Sequence, residues 1–157
     1  MAMGIPEMCA AIAARIDANK AALGLEGVSY PALNTVPSSP WAMVRLSPLR
    51  PTTTSKRLSR QTVNAFIDVV VLIASSETTP GDAARLDTLV HPIPDLFDAH
   101  AIGGNVNAVL TGLDGSVNHI WNDGQTTIAP RIWGEAGYCY SAVITFDTQF
   151  TREAVTP

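Results

Sequence analysis

The sequence predicts an α+β fold, in which a mainly antiparallel sheet carries a long projecting hairpin and helices pack on one face. Three patterns predict this fold. Apolar residues recur at helical spacing over residues 5–23, an almost continuous apolar stretch fills residues 62–74, and apolar and polar residues alternate over residues 138–150. Because alternation buries one face of a strand and leaves the other polar, the helices are expected to cover a single face of the sheet.

A single domain is expected over residues 1–157. With 46% hydrophobic and 15% charged residues, a chain of this length can bury about 70% of the surface that it exposes when unfolded. Its longest apolar run is about half of a membrane span. Cys9 and Cys139 fall in different predicted elements and form neither a disulfide framework nor a CxxC site, which favours a reducing compartment. The first residues lack the basic start of a secretory signal, so we expect a soluble cytoplasmic product.

The first element is predicted as one helix over residues 5–23. Its apolar residues lie on one helical face: Ile5, Met8, Ile12, Ile16 and Leu23. Pro6 suits the first turn of a helix, and Gly24 favours its end. Residues 27–40 then contain three prolines, which predict an extended connection into the first long strand.

A hairpin is predicted next, with strands over about residues 41–49 and 62–74. Between them lie residues 50–61 (RPTTTSKRLSRQ), the basic arm, which has little apolar content. Ordering such an arm costs conformational entropy and adds nothing to a core, so its expected use is contact with something outside the fold.

The second hairpin strand has two unlike faces. One face is apolar throughout, whereas the other begins polar at Asn64 and Asp68 and becomes apolar at Val70 and Leu72. This gradient predicts a central strand whose first half projects beyond the body of the domain.

The second half of the chain is predicted as helices over about residues 82–91 and 95–100, followed by a meander of three strands. The strands are expected at 117–121, 127–133 and 138–150, separated by NDG and GEAG turns. The intervening residues 101–114 fit either a strand or a helix. Pro130 predicts that its strand lies at a sheet edge or bulges there.

The charges divide along the chain. Residues 27–67 carry five basic residues and no acidic one, whereas the rest of the chain carries five basic and fourteen acidic residues. The formal charge of −4 therefore combines +5 with −9. The basic set is Arg45, Arg50, Lys56, Arg57 and Arg60. A chain with one basic and one acidic part can attract another copy of itself head to tail.

Residues that could support catalysis or metal binding show no convergent spacing. His91, His100 and His119 have no ligand spacing, and no HExxH, GxSxG, P-loop or GxGxxG motif occurs. Residues 114–125 begin like a calcium loop, but His119 replaces the required Gly and Gln125 the bidentate Glu. We therefore predict no catalytic, cofactor-binding or metal-binding residue, and no enzyme.

The basic arm has three interpretations. Lys56, Arg57 and Arg60 could neutralise phosphates, and without an aromatic residue between Trp41 and Phe66 that contact would be independent of base sequence. The arm could instead meet an acidic surface on a neighbouring copy. The acidic candidates are Asp82, Asp87, Asp95 and Asp98. The third interpretation is a solvated loop without a partner.

The order of predicted elements resembles that of the tail terminator, or tail-to-head joining, proteins of long-tailed bacteriophages. The resemblance lies in the helix MCAAIAARI, the strand NAFIDVVVLIA, the helix AARLDTLV and the closing segment GYCYSAVITFDTQFTRE. It extends over nearly the whole chain and is one of layout, without a diagnostic motif.

This resemblance implies a small structural subunit of the virion that forms a six-membered ring at the head-tail junction, assembled in the host bacterial cytoplasm. The ring would cap the tail tube, end its polymerisation and give the head connector a docking surface. The implied partners are further copies of the chain, the tail tube protein, the head-tail connector protein and DNA in the channel, with no membrane. A basic patch meeting a different acidic patch is the kind of interface that closes a ring. The alternatives are another connector or tail subunit, or a monomeric adaptor that binds nucleic acid without sequence preference.

Overall fold

The computed structural model describes residues 4–33, 39–48, 52–55, 60–74, 80–97, 117–132 and 138–153. Along the chain the elements are α1 (Ile5–Ala18), α2 (Lys20–Leu23), β1 (Gly27–Ser29), β2 (Trp41–Leu46), β3 (Thr52–Ser55), β4 (Arg60–Ala74), α3 (Pro80–Val90), a 3-10 helix (Pro94–Phe97), β5 (Val117–Ile132) and β6 (Tyr138–Glu153). The predicted α+β class is confirmed.

The strands form one sheet in the order β1-β2-β4-β6-β5, and β3 also pairs with β4. Only the short β1 runs parallel to its neighbour; the other pairs are antiparallel. The whole length of β4 pairs with β6, while β2 and β3 share its other side, β2 at residues 67–72 and β3 at residues 62–64. Together β2, β3 and β4 form the predicted hairpin.

The predicted helix 5–23 is two helices, because Asn19 interrupts it. The side-chain amide of Asn19 donates to the carbonyl oxygen of Arg15 at 2.8 Å, and its backbone N–H bonds to Ile16. The side chain thus takes the carbonyl that the helix would have used, which ends α1. The short α2 stops at Gly24, whose left-handed φ of 79° favours glycine.

The main core lies between the helices and one face of the sheet. From the helical side come Met8, Cys9, Ile12, Ile16, Leu23, Leu86, Val90, Ile93 and Phe97. The sheet contributes alternate residues of β4 and β6, and the Phe97 and Phe146 rings meet edge to face at 5.2 Å. The helices therefore cover one face, as the alternation in β6 predicted.

The opposite face of β4 follows the predicted gradient. Met43, Val70 and Leu72 form a second buried cluster, against which Trp41 and Val143 pack. One rung further along the strands, the same face carries Arg45 and Asp68 in place of apolar residues. This change from apolar to polar separates the part of the sheet that belongs to the body from the part that leads into the hairpin tip.

Two strand predictions were wrong. The strands predicted at 117–121 and 127–133 form one strand, β5 (Val117–Ile132), because both flanks of the NDG segment pair in the same direction with β6. The segment is an irregularity between Asn122 and Thr126, where the register shifts, and not a turn. The predicted arm 50–61 contains β3, and β4 begins at Arg60, so only residues 56–59 connect these two strands.

Other boundaries moved less. The helix predicted at 82–91 is α3, and the piece predicted at 95–100 is the 3-10 helix, which begins one residue earlier and ends at Phe97. Strand β6 extends three residues beyond the predicted end at 150. Strand β5 lies at the end of the sheet, as Pro130 predicted. Residues 101–114 lie outside the described residues. Within the described part of the chain, no helix has the length and hydropathy to cross a bilayer.

Candidate interaction surface on the hairpin

The hairpin end of the sheet is a four-stranded unit that we call the distal sheet. It consists of residues 52–55 of β3, 60–66 of β4, 147–153 of β6 and 117–121 of β5. Thr52, Asn64, Gln149 and His119 occupy one row across these four strands. The side-chain amide of Gln149 donates to Asn64 Oδ1 at 2.9 Å along that row. On the face opposite the helices, this hydrogen bond links β4 to β6, and the next row of the same face pairs Phe66 with Asp147.

An ion pair lies on the same face of the sheet, in the row that follows Phe66. Arg45 Nη2 lies 3.4 Å from Asp68 Oδ2, and Thr145 Oγ1 donates to Asp68 Oδ1 at 2.8 Å. The three residues are direct neighbours on β2, β4 and β6. The side chain of Asp68 is 4% exposed and that of Arg45 29%, so the carboxylate is buried and depends on these two partners for compensation.

The predicted basic residues do not all meet. Arg45 is held by Asp68, eight residues along β4 from Arg60, or about 26 Å at the usual rise of a strand. Arg60 opens β4, while Lys56 and Arg57 lie in the connection between β3 and β4, outside the described residues, as does Arg50. The strand ends thus bring Lys56, Arg57 and Arg60 into one short stretch and leave Arg45 elsewhere.

The predicted acidic residues lie on the helical side. Asp87 is exposed on α3, whose Leu86 and Val90 face the core, and Asp95 is exposed on the 3-10 helix. Asp82 lies in the first turn of α3, and Asp98 is outside the described residues. Arg45 is on the opposite face of the sheet from Asp87 and Asp95, so it cannot pair with either of them within one chain.

Sequence reasoning missed two features of this arrangement. Arg85 is exposed on α3 two residues before Asp87, and its positive charge reduces the net negative charge of that helix. The pairing of Arg45 with Asp68 depends on the register between β2 and β4, which the sequence alone does not give. The basic set expected to meet a partner included Arg45, whereas Asp68 of the same chain forms an ion pair with it.

The buried Cys9 is not an activated nucleophile. Cys9 lies on the buried face of α1, and burial raises the pKa of its thiol from 9.0 to about 11, so the reactive thiolate is scarce at neutral pH. Burial also raises the pKa of the Tyr30 hydroxyl, and electrostatic interaction with Cys9 and Glu7 adds smaller contributions in the same direction. Both groups therefore remain protonated at neutral pH.

Metal ligands do not converge among the described residues, where no group of three His, Cys, Asp or Glu side chains is placed to hold an ion. His91 is exposed just after α3, and His119 lies in β5. His100 falls outside the described residues. The features described on this part of the chain are an ion pair, an amide-to-amide hydrogen bond and two strand edges.

Comparison with known proteins finds similarity only at the level of structure. No protein-family model and no curated protein matches the chain. Among solved structures, it is similar to a chain of the virion of a native gene transfer agent particle, with a TM-score of 0.55 and 18% sequence identity. The similarity covers 94% of this chain and 95% of that chain. At this identity the match shows a shared fold, and its coverage extends that fold over almost the whole of both chains.

Proposed function

We propose that this protein is a structural subunit of a phage-like virion, specifically a tail terminator. In this role it forms a ring, six subunits in number, that caps the tail tube, ends tube polymerisation and presents a docking surface to the head connector. The observation that carries the proposal is the fold shared with a chain of a gene transfer agent virion over 94% of this chain. The layout of elements that resembles tail terminators supports the finer assignment.

The distribution of charge supports assembly of like subunits. The basic connection between β3 and β4 and the exposed Asp87 and Asp95 belong to different parts of the chain. A heterologous interface needs two such unlike surfaces on every copy, and it closes into a ring when the rotation between copies is a simple fraction of a turn. A homo-oligomeric ring therefore uses both charged regions without a second kind of subunit.

The proposed partners are the tail tube protein below the ring, the head-tail connector protein above it and DNA in the channel. Lys56, Arg57 and Arg60 would contact DNA through phosphates, without reading its sequence. The proposed location is the head-tail junction of the virion, and the proposed role requires no membrane, cofactor or catalytic step.

Light scattering and negative-stain microscopy of the purified protein test the proposal. We expect rings containing six copies of the 16.6 kDa chain at low salt and high concentration. Mixed with tail tube protein from the same source, the protein should bind tube ends and limit tube length. A protein that stays monomeric both alone and with tubes, and leaves tube length unchanged, would contradict the terminator role.

A monomeric nucleic-acid adaptor is the second candidate, favoured by the concentration of Lys56, Arg57 and Arg60 around one strand connection. It predicts that a monomer retains DNA at low salt. Three phosphate contacts would make retention fall roughly 40-fold between 50 and 200 mM salt. Replacing the three residues by Ala should abolish retention, whereas replacing the exposed Lys20 and Arg85 should not. Rings that do not retain DNA would reject this candidate.

A further inference from the structure

The distal sheet has two outer strand edges. Strand β3 bounds it on one side and the start of β5 on the other. Among the described residues, no strand pairs with the outer side of either segment. An unpaired edge presents a row of backbone N–H and C=O groups that can receive another strand.

The two edges lie at the same level along the strand direction. Thr52 of β3 and His119 of β5 stand in the same row of the sheet, with Asn64 and Gln149 between them. A copy placed beside this one in the same orientation would therefore bring its β3 level with the start of β5. No shift along the strand direction is needed.

The two edges also match in direction. Each of the pairs β3 with β4, β4 with β6 and β6 with β5 is antiparallel. Across three such pairings, β3 and β5 run in opposite directions. When successive copies are arranged head to tail, the join between β5 of one and β3 of the next is consequently antiparallel, which continues the pattern of the sheet.

The composition of β5 restricts where a strand can join. Its second half contains Pro130, which has no N–H to donate, and the register irregularity between Asn122 and Thr126 precedes that half. Residues 117–121 contain neither proline, lysine nor an acidic residue, and β3 is the uncharged sequence TTTS. Natural edges are commonly protected by charge or proline, and these two short segments have neither.

We propose that β3 of one copy adds to residues 117–121 of the next copy as an antiparallel strand. The partner is a second copy of this chain, and the contact repeats from copy to copy so that the distal sheets join around the assembly. This inference deepens the proposed ring, on which it rests, by assigning the ring contact to backbone hydrogen bonds between two defined edges. The charged surfaces then steer and orient the copies.

A disulfide between copies tests the edge contact directly. Within one chain, Thr52 and His119 are three strand spacings apart, about 14 Å, which is too far for a disulfide. Across the proposed join they are neighbours, at about 5 Å between Cβ atoms. We would prepare Thr52→Cys with His119→Cys, and Thr52→Cys with Trp121→Cys, in a Cys9→Ala, Cys139→Ala background. Assembled protein would then be oxidised and run on a non-reducing gel.

The expected result is a covalent ladder reaching the full ring size for at least one of these pairs. The matched control is Thr52→Cys with Ala129→Cys, at the other end of β5 on the same face, which should give no ladder. A ladder of equal strength in the control would show random collision and overturn the inference.

Hydrogen exchange of the unsubstituted protein provides a readout that does not depend on the variants. On assembly, amides in β3 and residues 117–121 should exchange at least about tenfold more slowly, whereas those of β1 should not change. If rings form but show neither the ladder nor this protection, the edge contact is wrong and the ring proposal stands. If no assembly and no ladder are found at any concentration or on tail tubes, both are wrong.

Discussion

At the scale of single residues, Asp68 places a buried carboxylate on the face of the sheet opposite the helices. It lies in the middle of the most apolar strand, where Arg45 and Thr145 provide an ion pair and a hydrogen bond. Removing one partner of a buried charge strongly destabilises a fold, because water does not replace the lost interaction. Arg45 therefore stabilises the subunit, whatever else its exposed part contacts.

Replacing Arg45 by Met should lower the free energy of unfolding by about 3 kcal/mol, because the buried Asp68 carboxylate loses its ion pair and keeps the hydrogen bond from Thr145. The double variant Arg45→Met, Asp68→Leu should recover most of that loss. Urea unfolding measures the free energy of unfolding of the single and the double variant. Arg85→Met on exposed α3 is the control, with an expected change within about 0.5 kcal/mol. Additive losses in the double variant would show that the pair is not coupled.

The thiol of Cys9 should make stability depend on alkaline pH. Its pKa in the folded state, about 11, exceeds the 9.0 of an exposed thiol, so the unfolded chain loses this proton first as pH rises. The contribution is fully present below pH 9 and is lost between about pH 9 and 11. The difference in free energy of unfolding between the wild type and Cys9→Ala, measured in urea, should shrink by about 1–2 kcal/mol from pH 8 to pH 10.5. A difference that does not change with pH would contradict this.

At the scale of elements, the sequence pattern predicts strands that have one buried face. The alternation over residues 138–150 predicted β6, and the change from polar to apolar residues along one face of residues 62–74 predicted a central strand, which is β4. Pro130 placed β5 at an edge, because an interior strand would need its missing N–H. These properties are local to one strand and can be read without knowing its neighbours.

Other elements depend on partners far along the chain. Thr52–Ser55 is polar enough for a loop and becomes a strand by pairing with β4. The NDG segment has the composition of a turn, but both of its flanks pair with β6. Asn19 ends α1 through a side-chain bond that competes with the backbone. The candidate site could be predicted only in part for the same reason. The basic residues of the arm can be read from the composition, whereas the Arg45–Asp68 ion pair depends on the register between β2 and β4.

Deleting residues 52–59 should leave a folded subunit with impaired assembly, because β3 is a four-residue edge strand that pairs with β4 alone among the described strands. We expect a loss of about 1–2 kcal/mol in the free energy of unfolding, measured in urea, and loss of rings in light scattering. The matched variant keeps β3 and replaces residues 56–59 by Asn-Gly. If edge pairing drives assembly, this second variant still forms rings; if Lys56 and Arg57 drive it, rings are lost in both. Unfolding of the deletion variant would show that the segment supports the core.

At the scale of the whole molecule, the fold places unlike surfaces on different sides of one sheet. Exposed acidic residues lie on the helical side, the Arg45–Asp68 ion pair lies on the other, and two strand edges of opposite direction bound the distal sheet. If the proposed edge contact forms, every copy offers both of its strands, β3 and the start of β5. A subunit of this design is expected to repeat around an axis, as a ring on the end of a tube requires.

Counting subunits at the ends of tail tubes tests this account most directly. Class averages from electron micrographs of the protein bound to tail tubes, together with native mass spectrometry of the released assembly, give that number. The account predicts a closed ring of six copies at one end of each tube. Single copies scattered along the tubes, or a protein that remains monomeric in their presence, would contradict it.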